Sequence, residues 1–196
     1  MMKKLILTLM LLGAAFSLHA QNVWAVKTNL IHDVATLSPN VAVEYAFAPQ
    51  WSAEMALSLN SWRSWGNSRL HHLLLQPELK YWFCEKYDGW FVSGTAMAGL
   101  ATLGNFMDLS QYNAKSPDLS NFLLKNALAL SIGVGGGYDF ILDRHWNLEV
   151  EGAIGYMYAR GDEYDDSLTP PDLLLKGSEF DYIGPTKLAV SIVYLF

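Results

Sequence analysis

The stretch LALSIGVGGGYDF alternates. Leu128, Leu130, Ile132, Val134, Tyr138 and Phe140 fall on one phase, and Ala129, Ser131, Gly133, Gly135, Gly137 and Asp139 on the other. A period of two belongs to an extended strand with two unlike faces, whereas a helix repeats at 3.6. The run is ~13 residues long, more than twice the common strand of soluble domains. A strand tilted across a bilayer needs ~9–11 residues.

The same pattern predicts eight strands, at residues 23–30, 41–47, 51–59, 72–83, 90–100, 126–140, 146–158 and 186–196. One phase carries Trp24, Val26 and Leu30; Val41, Val43 and Tyr45; Met55, Leu57 and Leu59; Leu73, Leu75 and Leu79; Leu148, Val150 and Ile154; Leu188, Val190 and Ile192. The other carries the strand charges: Lys27, Glu44, Glu54, Glu78, Lys80, Asp139, Glu149, Glu151 and Lys187, among mostly small or polar neighbours. A soluble barrel or sandwich would turn the apolar phase inward. A membrane barrel would turn it to lipid and enclose the charges. Aromatic placement decides between them. Trp24, Phe47, Trp51, Phe83, Trp90, Phe140, Trp146 and Phe196 all lie on the apolar phase at one end of their strands. Folded up and down, they form a single ring, as a lipid–water interface favours. Tyr156 and Tyr158 suit a partial second girdle at the other rim.

Connection lengths point the same way. Beside the ring lie APQ (48–50), CEKYDG (84–89) and ILDRH (141–145), and the opposite connections at 104–125 and 160–181 are long. Outer-membrane barrels have short periplasmic turns and long outer loops. The chain is therefore expected to be all-β: an eight-stranded antiparallel up-and-down transmembrane β-barrel with a polar, plugged lumen. LAVSIVYLF ends on a bare aromatic because the last strand must pair with the first, and Phe196 resembles the C-terminal signal of such barrels. Pro77 falls in mid-strand and calls for a bulge. The fifth strand turns only Gly94, Ala96 and Ala98 outward over its middle.

The N-terminus has Lys3 and Lys4, an apolar run from Leu5 to Phe16, and Ala20. That is the layout of a secretory signal peptide cleaved after Ala20, leaving one domain at residues 21–196. Two lysines leave with it, so the remainder is more acidic than the −6 of the whole chain. Nucleic acid, which needs a basic face, is excluded as a partner. Cys84 is the only cysteine, so no internal disulfide exists. Localisation to the outer membrane follows.

The segments WAVKTNLIHDVATLSPNVAVEYAF, LLLQPELKYWFCEKYDGWF, GVGGGYDFILDRHWNLEVEGAIGYMYAR and YIGPTKLAVSIVYLF resemble an uncharacterised family of exported proteins from Gram-negative gut and oral anaerobes, domain of unknown function 3575. The resemblance spans nearly the whole chain after the signal. It implies an outer-membrane β-barrel whose members are often encoded near fimbrial or surface-adhesion components, and no catalytic residues. It also implies a cysteine pair in the last long loop, which ARGDEYDDSLTPPDLLLKGSEFDY lacks.

Eight strands enclose a lumen just wide enough for side chains. The inward acids and lysines should pair and fill it, six acids against three lysines, which disfavours a diffusion pore. The leading functional expectation is a structural, anchoring or surface-interaction barrel whose partners are outer-membrane lipid and surface or fimbrial proteins. Its contact residues would be Phe122, Leu123 and Leu124 after Ser116 and Pro117, and Leu173, Leu174 and Leu175 after Thr169, Pro171 and Asp172. Both segments carry helix-start signals in loops, and such helices would either form a lid or dock a partner. The rival is a lipid-modifying barrel enzyme, a lipid A acyl hydrolase or transferase using serine, histidine and acid. His32, His71, His72 and His145 are present, and Ser61, Ser64 and Ser68 lie near in sequence, but no triad motif links them. His71 and His72, adjacent in a strand, point to opposite faces, so metal binding with His32 is not expected; nor is any cofactor. GDEYDD (161–166) suits a solvated acidic loop better than a calcium site, RGD at 160–162 is a chance tripeptide, and GVGGG within a strand is not a phosphate loop.

Overall fold

The computed structural model of the chain describes residues 23–36, 38–60, 69–104, 122–165 and 172–196. The expected signal peptide and residues 105–121 and 166–171 lie outside them. Eight antiparallel strands form one sheet: β1 Trp24–Asn29, β2 Asn40–Ala48, β3 Trp51–Asn60, β4 Arg69–Trp82, β5 Gly89–Gly104, β6 Phe122–Ile141, β7 Trp146–Asp165 and β8 Asp172–Leu195. Each pairs with its sequence neighbour, and β1 also pairs with β8, from Ala25↔Leu195 to Asn29↔Ser191, so the sheet closes on itself as a barrel. Closure satisfies the backbone groups of edges that an open sheet would leave bare.

Strand length grows around the barrel, from 6 residues in β1 to 24 in β8. One end is closed by short turns, while β6, β7 and β8 rise beyond the rest at the other. Here the structure corrects the expected connections. Residues 122–124 open β6 and 172–175 open β8, with Leu123↔Tyr164 and Tyr164↔Leu173 as register partners. They are strand, not helix. A helix-start signal is local and weak; a ladder to two neighbouring strands satisfies every backbone group it pairs. Much of 160–181 is thus a rising hairpin rather than a loop. Register shifts at Ala153/Ile154, Gly161/Glu163 and Glu163/Tyr164 bend that hairpin.

A second difference is α1, Leu30–Thr36, the one helix among the described residues. Leu30 was expected to end the first strand and instead begins this helix. The Asn29 Oδ1 accepts from the N–H groups of Ile31 and His32, at 3.1 and 3.3 Å, which makes Asn29 its N-cap. A third concerns Pro77. Its register with Met55 is unbroken, and on the β5 side the ladder lapses at Gln76 and Pro77 between Leu75↔Ala98 and Glu78↔Thr95 without a shift. The missing donor is absorbed by skipped bridges, and no bulge is needed.

The two phases have opposite environments. Val41, Val43, Met55, Leu57, Leu75, Ile132, Val134, Ile154 and Leu188 are exposed on the outside. Inside, Ala25, Ala42, Ala46, Ser52, Ser93, Ala153, Ala189 and Ser191 are buried and leave room for larger neighbours. Gly137 does so by necessity: a Cβ there would lie 2.6 Å from Cζ of Phe91.

Candidate functional site

The barrel brings residues from seven strands to one buried cluster. Lys27 comes from β1, Glu44 from β2, Glu54 from β3, Glu78 and Lys80 from β4, Asp139 from β6, Glu149 and Glu151 from β7, and Lys187 from β8. All are buried except Lys187, which is partly so. Each lies on the phase that alternation assigns to the inside.

Lys80 is the hub. Its Nζ lies 2.8 Å from Glu149, 3.1 Å from Glu54, 3.6 Å from Glu44, 3.7 Å from Glu78 and 3.8 Å from Glu151. It also sits 4.6 Å above the Phe91 ring. Lys27 pairs with Glu149 at 2.6 Å, with Glu54 at 3.1 Å and closely with Glu44. Lys187 bridges Glu78 and Glu151, the latter at 2.7 Å. The Ser93 hydroxyl donates to Glu151 at 2.8 Å. Asp139 differs: it neighbours Glu149 in the ladder, and neither of its oxygens accepts a hydrogen bond from the described residues. Burying charge is costly unless each group is paired. Three ammonium groups shared among the carboxylates are what this interior offers against that cost.

Below the cluster, at the short-turn end, lies an apolar floor. Trp82, Tyr87 and Phe91 pack with Ala25, Ala46, Val193, Leu195 and Val23. The Trp82 Nε1–H donates to Ser52 Oγ at 2.8 Å, and the Tyr87 hydroxyl to the carbonyl of Val23 at 3.1 Å. Burial pushes the Tyr87 phenol up from its usual range. The alternation missed this floor, because Trp82 and Phe91 stand on the phase assigned to small and charged residues. The signal was there: a large aromatic on the charged phase beside the rim of both β4 and β5. Outside the floor, Val23, Phe47, Lys86, Arg144 and Asn147 help line a cleft of about 940 Å³ at the short-turn end.

Phe47, Trp51, Phe83, Trp90, Phe140 and Trp146 project outward around the short-turn rim, with Trp24 and Phe196 partly covered. Sequence reasoning missed the second layer behind them. β1, β3 and β7 begin with Trp and β5 carries Trp90 as its second residue, while every even strand runs into Tyr-x-Phe: Tyr45 and Phe47, Tyr81 and Phe83, Tyr138 and Phe140, Tyr194 and Phe196. Each Trp faces the Tyr of its own hairpin in register: Trp24↔Tyr45, Trp51↔Tyr81, Trp90↔Tyr138 and Trp146↔Tyr194. Their ring centroids are 4.5, 5.0, 5.1 and 4.9 Å apart. Such pairs contribute ~0.5–1.5 kcal/mol each beyond their burial. Tyr156 is exposed, on β7 far from that rim.

At the opposite end, α1 joins a polar group inside the mouth. The Ser58 Oγ lies 2.7 Å from His32 Nε2 and 2.9 Å from His72 Nε2. Ser58 and His72 are buried, and His71 is exposed on the outer face. The structure thus brings His32 and His72 together and separates His71. Asp33 accepts from the Thr28 hydroxyl at 2.8 Å and from Asn40 Nδ2 at 2.7 Å, so it does not orient either imidazole. Burial holds the His32 imidazole below its usual range, with Asp33 opposing. Ser61, Ser64 and Ser68 lie outside the described residues. His145 sits at the far rim, 3.0 Å from the Leu195 carbonyl.

Of the contact residues expected in loops, Leu173 is exposed on β8, and the backbones of Phe122, Leu123, Leu124, Leu174 and Leu175 are in strands. Asp162, expected in an acidic loop, lies in β7 and accepts from the Gly177 N–H at 2.9 Å, where φ is +70°. Arg160, Asp162 and Lys176 line an open hollow of about 480 Å³ there.

No curated protein matches the chain. The family described as "Protein of unknown function (DUF3575)" matches residues 5–196, nearly the full length. The chain belongs to that family.

Proposed function

We propose that this protein is a small outer-membrane β-barrel without an open pore, which anchors its tall β6–β8 wall at the cell surface for contact with other surface proteins. One observation carries the reading: Val41, Val43, Ile132, Val134 and Ile154 are exposed while Lys27, Glu44, Lys80, Glu149 and Glu151 are buried. In water that is the costly arrangement on both faces; in a bilayer the outer face costs nothing and the closed sheet leaves no edge. The Trp/Tyr/Phe ring then lies at the periplasmic interface, where aromatic side chains are favoured. The aromatic floor and the lysine–carboxylate cluster fill the lumen that an ion would need to cross.

The partner class follows from the family resemblance, which implies fimbrial or adhesion components as neighbours, and from the height of β6–β8, the part that rises past the bilayer. A lipid-modifying activity has less support. The nearest approach to a nucleophile with its base is Ser58 between His32 and His72, and Ser58 is buried inside the barrel rather than facing lipid. Outer-membrane fractionation with a heat-dependent shift in gel mobility tests the barrel. Recovery in the soluble fraction, or one mobility at all temperatures, would contradict it. Proteins co-purifying in mild detergent test the contact role, and lipid A masses with and without the gene test the enzyme; an unchanged spectrum is expected.

A further inference from the structure

We propose that His32, Ser58 and His72 form an acid-operated latch that holds α1 across the long-strand mouth of the barrel and frees it when both imidazoles are protonated. The helix is anchored at one side and latched at the other. On the anchored side, Asn29 caps it, donates to the Leu188 carbonyl at 3.2 Å and accepts from the Val190 N–H at 3.3 Å, while Asp33 ties back to Thr28 and Asn40. Those contacts lie on α1's own flanks and on β8. Reaching across to β3 and β4 are His32, through Ser58 to His72, and the Thr36 carbonyl, which accepts from Asn60 Nδ2 at 3.0 Å.

The chemistry of a hydroxyl makes the first of these sensitive to protons. Ser58 has one proton to give and lone pairs to receive, so it can donate to one Nε2 and accept from the other N–H. That pattern needs at least one Nε2 without a proton. With both rings charged, two N–H donors aim at one oxygen, the serine proton has no acceptor, and two cations face each other with ring centroids 5.6 Å apart. Most other charges near the pair are committed elsewhere. On α1, Asp33 accepts from Thr28 and Asn40; it favours the charged form of His32, and burial outweighs it. On β8, Lys187 faces Glu78 and Glu151; on β1, Lys27 faces Glu44 and Glu149; on β3, Glu54 meets Lys27 and Lys80. On β4, His71 points outward. Burial already disfavours the charged form of His32. The freed helix therefore takes up protons more readily than the seated one. Seating is at full strength above the ordinary imidazole range of ~6.5 and is lost as pH falls below it.

The test uses the full chain in phospholipid vesicles. Cys84, the only cysteine, is exposed and replaceable, and Val34 on α1 is exposed, so Cys84→Ser with Val34→Cys accepts one nitroxide on the helix. A broad spectrum is expected at pH ~8, with the mobile component rising ~10-fold by pH ~4. Ser58→Ala should give the mobile spectrum at both pH values, and a seated helix in that variant overturns the latch. His32→Gln with His72→Gln keeps hydrogen-bonding groups that do not titrate, so the pH response must vanish. A response that survives in this pair assigns the transition to the carboxylates and overturns the proposal, as does a parent spectrum that does not change with pH.

Discussion

Lys80 is the side chain on which the interior depends most. Five carboxylates lie within 4 Å of its ammonium group. Removing one partner of a buried ion pair strands the others in a medium that solvates them poorly. Lys80→Met should therefore lower stability by about 3–5 kcal/mol in urea titrations of the barrel in vesicles. Arg160, 3.8 Å from Glu179 and largely exposed, makes the contrast: Arg160→Ala should cost no more than about 0.5 kcal/mol in the same titration. Gly137 offers a steric test. Its missing Cβ gives space to the Val150 carbonyl and to Phe91, so Gly137→Ala should cost about 1–3 kcal/mol by overpacking. An unchanged midpoint would mean that both the β7 backbone and Phe91 yield freely, against the place of Phe91 beside Trp82, with ring centroids 4.8 Å apart. The charged members of the cluster were legible one by one, because period two sends Lys27, Glu44 and Glu149 to one face. Which lysine meets which acid was not, since that depends on the stagger between strands, and no single strand encodes it.

Among the elements, the hairpin is the unit that repeats. A Trp at the first residue of β1, β3 and β7 and at the second of β5 meets the Tyr of Tyr-x-Phe across the ladder. A double-mutant cycle on Trp90 and Tyr138 should give a coupling of about 0.5–1.5 kcal/mol. The existence of all eight strands was legible from alternation, and so was the start of β7 at Trp146; how far β6, β7 and β8 extend at the opposite end was not. Local signals at Pro117 and Pro171 suggest helix, yet Leu123 and Leu173 each find a register partner in Tyr164, and long-range pairing prevails over local preference. The reverse happened at α1. Asn29 followed by Asp33 in the first turn is a legible helix start, hidden because Leu30 keeps the apolar phase of β1. Asn29→Ala should cost α1 about 1 kcal/mol and raise hydrogen exchange there and at the Val190 N–H it also binds, while exchange in β3 to β6 stays unchanged.

For the molecule as a whole, the faces are sorted in the opposite sense to a water-soluble protein. The family assignment carries no activity with it, so the physical claim rests on that sorting: hydrocarbon outside, ion pairs inside. The closed floor and cluster lead to a further expectation. Planar bilayers containing the protein should show no steady conductance, and stable unitary currents would mean that the interior opens. The most direct test of sidedness is a nitroxide scan along β2 in bilayers, on the Cys84→Ser background. Labels at positions 41, 43, 45 and 47 should show high collision rates with lipid-dissolved oxygen, and labels at 42 and 46 low rates. An accessibility pattern of opposite phase, with the odd positions shielded and the even ones open to an aqueous reagent, would contradict the account.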